Sequence, residues 1–156
     1  MSATHLTESR AVPVARDEAY DRVLSTPLPE IFHRRYVLMP PIREVREAPD
    51  SWDSVGQSRR IVTTDGGTML EELSSVERPL SWGYTLSEVT GPLKPLVATV
   101  DGLWAVEAAG TGCRITWTWT VHPRGRAGAL AMPLLGRLWH GYARQALEEI
   151  ERLLLR

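Results

Sequence analysis

Residues 113–154 read CRITWTWTVHPRGRAGALAMPLLGRLWHGYARQALEEIERLL. The first ten alternate, with Ile115, Trp117, Trp119 and Val121 on one side and Thr116, Thr118 and Thr120 on the other. A period of two is that of a strand with one buried and one solvated face. From about Ala129 the period lengthens. Leu135, Leu138, Trp139, Tyr142, Ala146, Ile150 and Leu153 recur at three- and four-residue steps, which predicts a long helix over 129–154 with one broad apolar face. Arg137, Arg144, Glu148, Glu151 and Arg152 fall opposite, and Glu148 and Arg152 have the spacing of an i, i+4 pair. Pro133 is placed either to start the regular helix or to kink it. Gly136 and Gly141 weaken the helix and are expected to leave volume unfilled along it. Such a face must be covered, and strands upstream are the available cover.

Further strands are predicted at 42–47, 57–64, 68–77, 81–89 and 98–107. Asp65-Gly66-Gly67 and Gly110-Thr111-Gly112 supply tight turns between neighbours, and Gly91-Pro92 with Pro95 a looser one. Ahead of them lie a weakly alternating strand at 4–13, a helix at 16–24 and a short helix at 28–35, closed by Pro40-Pro41. Asp17 and Glu18 suit the first turn of the earlier helix, where its dipole favours negative charge. Consecutive antiparallel strands exclude a doubly wound parallel sheet. The order gives an α+β fold: a curved antiparallel sheet wrapped around a long carboxy-terminal helix, with two short helices after the first strand.

Composition sets the remaining bounds. At 156 residues, 43% apolar and 24% charged, residues 1–156 read as one globular domain without need of a metal or disulfide staple. Cys113 is the only cysteine, so no intrachain disulfide or cysteine cluster can form. A net charge of −1 supplies no general attraction to nucleic acid. Of 18 basic residues only Lys94 is lysine, a bias that GC-rich coding DNA would produce, and the expected source is bacterial. Residues 1–10 lack the pattern of a signal peptide and no apolar run has membrane-spanning length, so the expected location is the cytoplasm, without stable membrane insertion.

The order of elements resembles the helix-grip fold of the SRPBCC (START-like) superfamily, which includes polyketide cyclases, lipid-transfer domains and pollen-allergen-like proteins. The resemblance is carried by Gly56-Gln57-Ser58-Arg59-Arg60, Asp65-Gly66-Gly67, Glu71, Trp82-Gly83-Tyr84, Gly91-Pro92, Trp104, Gly112, Trp117 and Pro123. At the front end, residues 12–20 look like the family's strand-into-helix corner, with Tyr20 where an aromatic is often found. None of these is a catalytic signature. The resemblance implies a cavity between sheet and long helix, commonly used for an apolar small molecule.

Trp82, Tyr84, Trp104, Trp117 and Trp119 gather on strand faces, and Leu135, Trp139 and Tyr142 come from the helix opposite. Flat rings with one polar tip suit either a ligand-binding wall or a packed core. Trp52 stands apart in a polar segment. Arg59, Arg60, Glu71 and Glu72 flank the Asp65-Gly66-Gly67 hairpin, and its loop length decides which pair turns inwards. The shared parity of Met69, Glu71 and Leu73 favours Glu71 inside. There it would pair with an arginine, bind a ligand's polar end, or act as a general base. His5, His33, His122 and His140 lack metal-ligand spacing, so neither metal nor cofactor is expected. Arg124 and Arg126, ahead of the long helix, are open to anion binding or to ordinary loop chemistry.

Three functions fit these residues. The first is a binder or carrier of a hydrophobic, aromatic or lipid-like molecule, acting as a monomer or homodimer. The second is a polyketide cyclase/aromatase-type enzyme drawing on Glu71, Arg59 and Tyr84. The third is a protein-interaction module on the same fold. An acid or base reaching the cavity separates the second from the first, and a filled interior with a large exposed apolar patch marks the third.

Overall fold

The computed structural model describes residues 2–156. Its strands are β1 (Thr4–Val12), β2 (Ile42–Arg46), β3 (Ser58–Thr63), β4 (Thr68–Glu77), β5 (Ser81–Ser87), β6 (Val97–Ala109) and β7 (Gly112–Pro123). The helices are α1 (Arg16–Ser25), α2 (Leu28–Ile31) and α3 (Gly125–Leu154). The strands form one antiparallel sheet in the order β1-β7-β6-β5-β4-β3-β2. This is the α+β helix-grip architecture. Among the described residues no helix is long and apolar enough to cross a membrane.

Two helices differ from the expected lengths. The short helix ends at Ile31 rather than at residue 35, because Tyr36 and Met39 instead close a small bridge. The long helix begins four residues early, at Gly125, and Pro133 lies inside it. The early start has a close-packing reason. The Arg124 amide donates to the Leu96 carbonyl at 2.8 Å, and a Cβ on Gly128 would stand 2.2 Å from that same oxygen. The Arg124 guanidinium donates to the Lys94 carbonyl, which commits it to the loop.

α3 rests on β1 and β7. Leu135, Trp139, Tyr142, Ala146 and Ile150 are buried on its inner side. Gly136 and Gly141 leave no void. A Cβ on Gly136 would meet Leu6 at 3.2 Å, and one on Gly141 would fall 2.0 Å from the Tyr36 ring. The expected unfilled volume along this helix is therefore taken up by Leu6 and Tyr36. Arg152 pairs with Glu149 rather than with Glu148. Glu149 also meets His33 at 3.0 Å and Arg34 at 3.3 Å, fastening the chain after α2 to the helix. At the far end, the Arg22 guanidinium donates to the Leu153 and Leu154 carbonyls, a cation where the helix dipole favours one.

Ile150 is fully buried, so Ile150→Ala is expected to cost about 2–5 kcal/mol in a urea titration. Glu151 is half-buried and holds a partly exposed pair with Arg10, so Glu151→Ala is expected to cost about 1 kcal/mol or less. Equal losses would mean that the inner face of α3 is wrongly phased.

Candidate functional site

The hairpin between β3 and β4 settles the arginine question. The Thr63 amide donates to the Gly67 carbonyl, which leaves a three-residue loop with Gly66 at φ +89°. A side chain is strained at that φ. This loop length pairs odd positions with odd ones, so Arg59 stands opposite Glu71, both on the inner face. Arg60 turns away towards Glu88. The Arg59 Nε–H donates to Glu71 Oε1 at 2.6 Å, with Arg59 9% and Glu71 5% exposed. The guanidinium also lies over the Trp52 ring, 3.9 Å from its centroid. Trp52 is thus half-buried beneath a cation rather than isolated in a polar segment.

Cross-strand register assembles the aromatic wall. Trp82 stands opposite Trp104, and Trp104 opposite Trp117, in a stacked row with ring centroids 5.8 and 4.9 Å apart. One step along the strands, Tyr84 stands opposite Gly102, and Gly102 opposite Trp119. A Cβ at Gly102 would lie 2.0 Å from a Tyr84 ring carbon, so the ring lies across the glycine. Its hydroxyl accepts N–H bonds from Trp117 at 2.8 Å and Trp119 at 2.9 Å. Burial raises the Tyr84 pKa, the negative charge of Glu71 adds to it, and the indole donors oppose it.

Tyr84, Trp104, Trp117 and Trp119 border an open cavity of about 740 Å³ of atom-free space, part of it open to solvent. Its floor is Ile61, Met69, Glu71, Tyr84, Leu86, Trp104, Trp117 and Trp119. Its roof is Leu28, Phe32, Met39, Pro40 and Ile42, and α3 adds only Tyr142. The exposed side chains of Asp65, Thr90 and Pro92 lie at its rim. There the Thr68 and Thr90 hydroxyls meet at 2.7 Å and tie the hairpin to the turn before β6. Tyr142 donates to the Pro40 carbonyl at 3.0 Å, joining roof to helix.

The cavity therefore lies beside the helix, between the sheet and the chain from Leu28 to Ile42. Leu135 and Trp139 do not border it. Trp139 is fully buried, with its ring 5.0 Å from Trp117 and 5.9 Å from Trp119, and it fills the gap between helix and sheet. Trp82 lies behind Trp104 and borders a smaller space of about 300 Å³ shared with Arg59, Glu71 and Trp52. Tyr84, Trp104, Trp117, Trp119, Tyr142 and Glu71 do come together at the main cavity. Sequence reasoning missed Phe32, whose ring packs 5.3 Å from Trp117 and 5.7 Å from Tyr142. Being the only phenylalanine in the chain was its one mark. Met39 and Pro40 belong to an aperiodic segment and gave no signal. The histidines are dispersed: His140 bonds to Glu8, His122 to Asp101 and His33 to Glu149.

A family model for polyketide cyclase/dehydrase and lipid-transport proteins matches residues 3–154, and the chain belongs to that family. Solved structures share the fold at low identity. A protein from Thermus thermophilus superposes with a TM-score of 0.72 at 17% identity, with 97% of each chain covered. XoxI from Bacillus cereus gives 0.67 at 16% identity, covering 99% of this chain and 96% of its own. Ara h 8.0201 gives 0.66 at 15% identity over 99% of both. A search of curated proteins found no match.

Burial is the larger influence on Glu71 and pushes its carboxyl above the ordinary glutamate range, with Arg59 pulling the other way. The folded state thus holds this proton to higher pH than the unfolded chain does. The stability it contributes is full below the unfolded value and is lost as pH rises through the raised one. As pH rises above the ordinary glutamate pKa of about 4.3, urea titrations should show the wild type losing stability relative to Glu71→Gln. Glu71→Ala alone leaves the Arg59 charge buried without an anion and is expected to cost about 3–5 kcal/mol, whereas joint replacement of Arg59 and Glu71 by methionine should cost clearly less.

Proposed function

We propose that the protein binds or carries a hydrophobic, ring-bearing small molecule in the cavity beside α3. The observation that carries this reading is an open cavity walled by three indoles and aliphatic side chains, with only a few polar groups set among them. The matching family includes lipid transport in its description. In this reading residues 1–156 act as one domain, without cofactor, and the net charge of −1 fits an uncharged partner better than nucleic acid. The interaction-module reading called for a filled interior, and the cavity weighs against it.

One observation favours a second reading. Glu71 and Tyr84 both border the cavity, and a buried carboxyl with a raised pKa has the character of a general acid or base. On a cyclase/aromatase reading Glu71 moves a proton on a reactive polyketide that the indoles hold in place. The ion pair of Arg59 with Glu71 Oε1 counts against it, because it engages one of the two carboxylate oxygens.

Flavonoids, fatty acids and polycyclic aromatics should be screened by tryptophan emission and thermal melting. A true ligand at about 100 times its Kd should stabilise the fold by about 2.7 kcal/mol, growing with ligand excess. Leu93→Trp, at a half-buried wall position, should fill the cavity and weaken binding at least about tenfold while the fold persists. If no compound shifts either signal, the binding reading fails. Turnover of a poly-β-ketoacyl thioester, lost in Glu71→Gln with binding retained, would favour the enzyme instead.

A further inference from the structure

We propose that the cavity selects a guest bearing a carbonyl oxygen, which the Tyr84 hydroxyl receives as a hydrogen-bond donor. This rests on the reading of the cavity as a binding site and adds the chemistry of the ligand's polar end.

An indole N–H only donates, so the direction of the two bonds at Tyr84 is unambiguous. Trp117 and Trp119 fill both acceptor positions of the phenolic oxygen, at 2.8 and 2.9 Å. The hydroxyl cannot accept a third bond on favourable terms, but it still carries its own proton. Among the described residues no acceptor takes that proton. Tyr84 is 5% exposed, and a buried donor without a partner is costly. All three members of the cluster border the main cavity, where the acceptor of a guest can meet the O–H. Two N–H bonds into the oxygen also polarise the O–H and strengthen it as a donor.

The cluster is built into the sheet. Register places Tyr84, Gly102 and Trp119 in one row, and the missing Cβ at Gly102 lets the phenol cross β6 to reach the indoles of β7. A ketone or similar acceptor completes this arrangement and brings no proton of its own. A guest alcohol must also place its own proton, and Glu71, the nearby carboxylate in the wall, already takes Arg59 on one oxygen. An ammonium group would meet the donor head-on.

The test uses the full chain with two matched pairs, fluorenone against fluorene and indanone against indane. Comparing wild type with Tyr84→Phe removes differences in partition between ketone and hydrocarbon. The ketone-to-hydrocarbon affinity ratio should be at least about tenfold larger in the wild type, the size of one good buried hydrogen bond. The carbonyl stretch of bound fluorenone should move below its position in hexane, and should return towards it in Tyr84→Phe. If the variant does not fold, the wild-type band alone decides, and an unshifted band overturns the proposal. If both members of a pair bind with the same ratio in the two proteins, the donor assignment falls while the cavity reading stands. If no ketone or hydrocarbon binds the wild type, the cavity reading itself fails and this proposal with it.

Discussion

One helix cannot cover a seven-stranded face. At about 4.8 Å between strands the sheet spans about 29 Å, whereas a helix with its side chains is about 10–12 Å across. α3 lies over β1 and β7, and α1 supports β6 and β7. The concave surface of β3, β4 and β5 is left to whatever the chain between α1 and β2 can provide. That chain is a single helical turn and an irregular stretch, and it roofs the surface without filling the space beneath. The cavity follows from this mismatch of widths.

The two halves of the concave face meet different fates for that reason. Beneath α3, large rings interlock: Trp139 closes against Trp117 and Trp119, and the helix glycines admit Leu6 and Tyr36. Beneath the roof the same sheet face presents its rings to open space. Trp117 and Trp119 belong to both halves. They pack on Trp139 and spend their N–H groups on Tyr84, so the rigid half orients the polar centre of the open half. The roof is held down by contacts to α3, through Glu149 with His33 and Arg34, and through Tyr142 with the Pro40 carbonyl.

The buried Arg59–Glu71 pair is the costly feature of the sheet's inner face. Two charges leave water for a site lined mainly by carbon, and their attraction offsets only part of that penalty. Trp52 shields the outer face of the guanidinium, which is why a tryptophan in a stretch rich in Ser and Asp is half-buried. An ion pair of this kind is weak support for stability. Glu71 stands on the wall of the main cavity with Tyr84, whereas Arg59 borders the smaller space behind it.

Much of the fold was legible because it follows from local period. Alternation in 113–122 and the three- and four-residue steps of 129–154 are properties of short windows, and they announced strand and helix without reference to anything distant. Parity already pointed to Glu71, and the glycine turn, its loop length undecided, left Arg59 or Arg60 as the inward partner. What no window contains is the opposite wall. Period shows which face a side chain takes, but not what stands across from it. Trp139 and Tyr142 share a helix face three residues apart, yet one is sealed against two indoles and the other borders the cavity. Gly136 and Gly141 read as gaps until Leu6 and Tyr36, more than a hundred residues away in sequence, were seen to occupy them. Phe32 and Met39 entered the site from a segment with no period at all. The sequence by itself determined the elements, their inner faces and the turn that could align Arg59 with Glu71. Tertiary structure decided the register, the filled and open halves, and the meeting of Tyr84 with two indoles, because each depends on residues brought together from separate strands.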